Sequence, residues 1–421
     1  MCANMKQPSR LMNKNFFLLW QGQLVSQIGS QAFIVAIMFW TKHATGSATL
    51  MGMLVMVAML PGVILGPVGG TIADRFSRRA IIILSDVLDG IVVLLFSLLI
   101  FLYPQKVKLD IIFLFFVTIF IGIVSSFFRP AISASIPDLV PENKLEAANS
   151  LNQSSFQISM FIGQGLGGIL YRILGPFMLI FVDGLSYLFS AFSESFIAIP
   201  QKIPERSKDY KSVLQEFKRD TIDGFRYIWK RVGMRNLFVA VSFTNFFAMP
   251  IILLLPFYVE DFLKVTAEWY GYLIAAWGLG SLLGFFLIGL MKLSGRTRCM
   301  VIIPLTIVAS LTIGSLGFIN IPLIALVIMV IGGTLNGIFN ITIITLLQKT
   351  TPSEIRGRIF GLLGTISSAL APVAMGLAGV VADLLNKNIP LIYTSCGGIM
   401  IVIDIIISLN KEYRHFLSYE L

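Results

Sequence analysis

Residues 60–81 read LPGVILGPVGGTIADRFSRRAI. The stretch opens as an apolar helix and ends in Gly69-Gly70-Thr71-Ile72-Ala73-Asp74-Arg75-Phe76-Ser77-Arg78-Arg79, and a second apolar run begins at Ala80. This is one membrane-length helix turning tightly into another, with an acid and three arginines packed into the turn. An Asp among arginines either pairs inside the turn or clamps a neighbouring helix end. The glycine pair lets another helix approach closely. A basic turn that only set topology would account for the arginines. It would leave the glycines and the single acid without a role.

Working outward, the rest of the chain has the same character. Its 421 residues are 56% hydrophobic and 13% charged, against about 25% charge in a soluble domain. Apolar runs long enough to cross a bilayer recur throughout. A bilayer accepts only helices or closed barrels, and continuous apolar runs exclude the alternating pattern of a barrel. We therefore expect an all-α membrane protein with twelve spans: 15–41, 49–73, 80–103, 109–131, 149–174, 176–199, 236–262, 269–293, 299–319, 322–348, 357–384 and 390–409. The implied organisation is an N-terminal six-helix bundle over 1–199, a cytoplasmic linker over 200–233 and a C-terminal six-helix bundle over 234–421. Within the linker, Val213, Phe217, Ile222 and Phe225 form an apolar stripe that fits a helix on the membrane surface; a solvated tether is the competing reading.

The net charge of +10 has two readings, nucleic acid or topology. With both termini inside, 26 of the 32 lysines and arginines are inner; Lys42, Lys106, Lys108, Arg172, Lys264 and Lys387 are the outer six. That asymmetry is the positive-inside pattern, so topology explains the charge and no nucleic-acid partner is expected. Cys2, Cys299 and Cys396 are isolated and odd in number, which gives no disulfide framework and no metal spacing. The first apolar run is too long for a signal-peptide core and reads as a retained span.

The halves repeat. Asn15-Phe16-Phe17 matches Asn236-Leu237-Phe238, while Gly165-Leu166-Gly167-Gly168 matches Gly376-Leu377-Ala378-Gly379 at a shift of 211, the shift that also sets Pro141 on Pro352. The order and near-constant shift indicate a parallel duplication. A worn copy of the opening turn runs from Gly289 to Arg298, with Leu293 where Asp74 would fall.

The turn resembles the signature of the major facilitator superfamily between its second and third helices, G-x-x-x-D-R-x-x-R-R, with Gly70, Asp74, Arg75, Arg78 and Arg79 at its positions. Trp20, Gly22-Gln23, Val25-Ser26, Thr45-Gly46-Ser47-Ala48 and Ile64-Leu65-Gly66-Pro67 look like its bacterial macrolide-efflux branch, which also includes siderophore exporters. The resemblance implies two pseudo-symmetric six-helix bundles and alternating access. It implies that Asp74 faces the N-terminus of the eleventh span, near Arg356 and Arg358, as a latch that closes the inner side. Arg129 belongs with that latch. Gln164 stands where drug–proton antiporters of the family commonly carry Pro, so Gly163 to Gly168 reads better as close helix packing.

Polar residues inside spans are the site candidates. In the fold implied by the resemblance, a central cavity is lined by amides: Gln23, Gln27 and Gln31 on one face of the first span, Asn245 in the seventh, Asn336 and Asn340 in the tenth, with Trp277 beside them. Such a site suits a bulky amphipathic molecule; the same amides also suit helix-to-helix hydrogen bonding. No cofactor is expected. Two histidines in the chain, with no H-E-x-x-H, G-x-S-x-G or Walker A loop, argue against an enzyme and an ATP-driven pump. A channel would not need a repeat with a charged latch in one half. The expected function is export of a hydrophobic or amphipathic small molecule, macrolide-like first, with a siderophore exporter or lysophospholipid flippase as alternatives. The expected setting is the inner (plasma) membrane, as a monomer with both termini cytoplasmic. Proton exchange is the simplest energy source. Its carrier would be a buried carboxyl, in the order Asp183, Asp404, Asp86, with Asp86 also in reach of Arg129 or the arginine turn.

Overall fold

The computed structural model describes residues 10–201, 219, 222, 225–291 and 295–419. The apolar runs are helices: α1 Lys14–Thr45, α2 Ala48–Arg75, α3 Arg78–Leu102, α4 Val107–Leu139, α5 and α6 at 145–174 and 176–194, and α7 Val232–Leu253. They continue as α8 Glu268–Leu290, α9 Gly295–Ser315, α10 Pro322–Thr350, α11 Ser353–Leu384, α12 Ile389–Ser408 and a short terminal α13 Lys411–Leu417. Among the described residues, ten helical segments have the length and composition of spans; a break divides one of them, 142–194, into α5 and α6, and α11 adds the shorter apolar stretch Ala369–Leu384. The break is at Gly175, whose φ of 73° is open to glycine and costly for other residues; Pro176 then starts α6, as suits a residue without an N–H at a first helical turn.

The chain divides into two compact units, residues 1–46 with 57–214 and residues 47–56 with 215–421. In the first, α1 packs along α5 and α6, and α3 along α6 and α4. Gly163 and Gly167 of α5 sit so close to Ile28, Gln31 and Val35 of α1 that a Cβ would collide, which is the packing use expected of that glycine run.

The second unit repeats these crossings. Gly280 and Gly284 of α8 face backbone of Val330 and Thr334 in α10, and Gly333 and Gly337 of α10 face the carbonyls of Trp277 and Ser281. The first unit does the same with Gly69 of α2 on Ser126 and Gly122 of α4 on Ala58. Likewise Gly90 and Gly184 join α3 to α6, and Gly314 and Gly397 join α9 to α12. Val213 and Phe217 of the linker stripe lie outside the described residues; Ile222 and Phe225 are exposed, and Phe225 stacks on Trp229 at 5.2 Å.

Candidate functional site

The arginine turn is built around Arg78. Ser77 caps α3 by accepting from Ala80 N, which leaves Arg78 on the first turn. Its guanidinium donates to the Ala134 carbonyl and Asp138 of α4, both at 2.7 Å, to the Ala73 carbonyl at 3.2 Å, and to Asp74 at 3.3 Å. Gln201 accepts from Arg78 N and donates to the Phe76 carbonyl. One planar fork thus ties together α2, α3 and α4, which a point-charge lysine cannot do. Asp74 pairs inside the turn, and its side chain is 70% exposed. Arg79 donates to the Ser195 carbonyl. Arg129 is exposed on α4, and Gly70 is half-buried. The side chains of Arg356 and Arg358 lie outside the described residues.

A second polar assembly runs inside the first unit. On α6, Asp183, Ser186, Tyr187, Ser190, Ser193 and Glu194 fall on one helical face and are all buried. Against them lie Asp86 and Asp89 of α3, also buried, and the polar side of α1. Gln23 donates to Glu194 at 2.8 Å and Gln21 to Ser193 at 3.1 Å. Ser30 Oγ and Tyr187 Oη are 2.8 Å apart. Asp86 lies against Glu194 and Ser190, while Asp89 is within electrostatic reach of Asp86 and Asp183. Asp86, Asp183 and Glu194 are each 1% exposed, and each carries an oxygen without a hydrogen-bond donor, as does Asp89. Among the described residues, no Lys, Arg or His acts on any of the four carboxyls. The expected reach of Asp86 to Arg129 or the arginine turn is therefore replaced by a contact with Glu194: Asp86 points along α3 into the α6 interface.

The amides divide. Gln23, 3% exposed, is committed to Glu194. Gln31 accepts from Gln164 at 2.7 Å, tying α1 to α5. Gln27 is half-buried, with an Oε1 that receives no hydrogen bond. In the second unit Asn340 donates to Asn336 at 3.2 Å along one face of α10, and Asn245 is half-buried on α7. The half-buried Trp277 ring lies over Gly332. Asp404 of α12 accepts from Ser310 of α9 at 2.7 Å. Among the described residues, the second unit thus has one buried carboxyl, while the first has these four and Asp110 in the first turn of α4. Ser310 and Asp86 each stand four residues before the glycine at which their helix crosses its partner, Gly314 and Gly90.

Sequence reasoning ranked Asp183 without seeing Glu194 as a partner, and it read Asp138 as part of the loop after the fourth span without pairing it with Arg78. The first had a legible signal, a polar residue at every turn of α6. The second had none, because Asp138 meets Arg78 only through the packing of α4.

Residues 19–376 match the model of the Major Facilitator Superfamily. Among curated proteins, the chain is 27% identical to macrolide efflux protein A of Streptococcus pyogenes, covering 95% of this chain and 96% of that one. It is 25% identical to the multidrug efflux pump Tap of Mycolicibacterium fortuitum, over 86% of this chain and 87% of that one. Among solved structures, it superposes with a TM-score of 0.67 and 15% identity on a bacterial homolog of the human lysosomal transporter Spinster, over 98% and 97% of the two chains.

Proposed function

The chain belongs to the Major Facilitator Superfamily, and from that premise we propose that it exports a hydrophobic or amphipathic small molecule, macrolide-like, by alternating access in exchange for protons. It is a multi-pass membrane transporter and not an enzyme. The observation that carries the substrate class is the full-length similarity to proteins named for macrolide and multidrug efflux. The proton half of the reading is supported by buried carboxyls that have no cation beside them among the described residues, the usual form of a membrane proton carrier.

In this reading Gln23, Gln27, Gln31, Asn245, Trp277, Asn336 and Asn340 include the groups that hold the substrate. Gly70, Asp74, Arg75, Arg78, Arg79, Arg129, Arg356 and Arg358 form the inner latch. The protein resides in the bacterial cell membrane with both termini inside.

The test is uptake of radiolabelled erythromycin into inverted vesicles carrying the protein, with and without an imposed pH gradient. Gradient-driven uptake above that of empty vesicles is expected, and an ionophore should abolish it. Uptake that ignores collapse of the gradient would remove the antiport reading, and no uptake of any macrolide would remove the substrate class. Alanine at Gln23, Gln27, Asn245, Asn336 and Trp277 together should lower macrolide affinity; unaltered affinity would show that the substrate sits elsewhere.

A further inference from the structure

We propose that the buried seam between α1, α3 and α6 is the proton-carrying site of this transporter, and that the facing carboxyls of Asp86 and Glu194 hold the exchanged proton between them. The inference rests on the antiport reading above and gives it a place within the first unit. Asp183 and Asp89 extend the seam away from that pair.

Asp86 and Glu194 are in contact, each 1% exposed, and among the described residues no cation balances two charges there. Two carboxyls in contact in such a site do not both stay ionised; they share a proton. Each retains an oxygen with no donor. Ser190, which is fully buried and lies against both acids, has a hydroxyl without a completed hydrogen bond. A saturated structural network would leave none of these groups open. A site that gains and loses a proton must keep such capacity, because the pair needs more acceptors when protonated and more donors when ionised.

The seam also has direction. From Glu194 to Asp183 is eleven residues of α6, or about 16 Å of helix rise, roughly half of a ~30 Å hydrocarbon core. Asp86 and Asp89 fill the interval from α3, and Tyr187 adds a hydroxyl within electrostatic reach of Asp183, Asp89 and Asp86. Glu194 lies next to Ser195, whose carbonyl accepts from Arg79. The α1 side contributes Gln23 and Ser30 but no ionisable group. Room is left on purpose: a Cβ at Gly29 of α1 would collide with Asp183 and Ser186, and one at Gly22 would press on Ser190. A proton taken up at Glu194 moves to Asp86 as an O–H bond forms on one carboxyl and breaks on the other. No other reactant is needed.

The experiment uses the purified full-length protein in lipid nanodiscs and in vesicles, as wild type, Asp86→Asn, Glu194→Gln and the double variant. Infrared difference spectra across a pH titration should show a protonated carboxyl band. Either single variant should shift it, and the double variant should remove it. A band untouched by the double variant would overturn the site, whatever the substrate. In vesicles, erythromycin uptake driven by a pH gradient should fall at least about tenfold in each single variant, while the elution profile on size exclusion and the cooperative melting of the purified protein show that the variants are folded. Wild-type coupling that survives in both variants would overturn the seam and leave antiport standing. Wild-type transport indifferent to the gradient would overturn both.

Discussion

Arg78 and Asp74 belong to one sequence signature, yet their surroundings assign them different tasks. Arg78 is partly buried and its fork spans α2, α3 and α4 through Ala73, Ala134 and Asp138. Arg78→Lys should therefore lower thermal stability by about 1.5–3 kcal/mol, the range for hydrogen bonds to a charged group; thermal unfolding in detergent measures it. Asp74 is exposed, and its pair with Arg78 is a long one at 3.3 Å. Removing an exposed ion pair costs about 0–1 kcal/mol. Asp74→Asn should leave the melting curve nearly unchanged while slowing transport, if Asp74 works as a latch in only one state of the cycle. Equal losses of stability in the two variants would contradict this division. Gln23 is a further residue with a structural debt: Gln23→Ala leaves Glu194 with no amide donor, and a cost of about 1–3 kcal/mol is expected.

At the scale of elements, glycines decide which helices touch. Gly280 and Gly284 on α8 and Gly333 and Gly337 on α10 are mutually fitted, each facing a carbonyl or amide of the other helix. Gly333→Leu should force α8 and α10 apart and destabilise the second unit by about 1–3 kcal/mol, as overpacking does. Gly289, which has open space around it, should accept alanine with little effect; the two melting temperatures make the comparison. The worn signature copy also has a local task. Arg298, 1% exposed, donates to the carbonyls of Leu417 and Tyr419 and so holds the end of α13 against α9. Arg298→Ala should free α13, and trypsin should then cut faster at Lys411 and Arg414. An unchanged cleavage rate would show that the apolar contacts of Tyr413 and Leu417 suffice on their own.

For the whole molecule the sharpest expectation is topological. The lysine and arginine asymmetry predicts Lys411 inside and Lys106 outside. In a background without the native cysteines, Lys411→Cys should react with an impermeant maleimide only in inverted vesicles, and Lys106→Cys only in intact cells. The opposite pattern would invert the protein and with it the direction of transport. The internal repeat gives the two units the same crossings, α2 with α4 and α8 with α10, α3 with α6 and α9 with α12. It does not give them the same chemistry. Among the described residues, four buried carboxyls line the seam of the first unit, and Asp404 with Ser310 is the counterpart in the second.

Fold class, helix number and the break at Gly175 were all legible in the chain, because each depends on local facts: the length of apolar runs, a glycine before a proline, and the cost of exposing backbone to lipid. The family was legible for a similar reason, since the arginine turn is contiguous. The individual acids were also visible, as polar residues in apolar helices. Their pairing was not. Asp86 and Glu194 are separated by 108 positions, and only the crossing of α3 and α6 at Gly90 and Gly184 brings them together. That three glutamines share a face of α1 was legible; that the first meets Glu194 and the third meets Gln164 was not. Periodicity says which residues share a face of a helix. What that face meets is set by packing between helices distant in the chain, and that belongs to the tertiary structure alone.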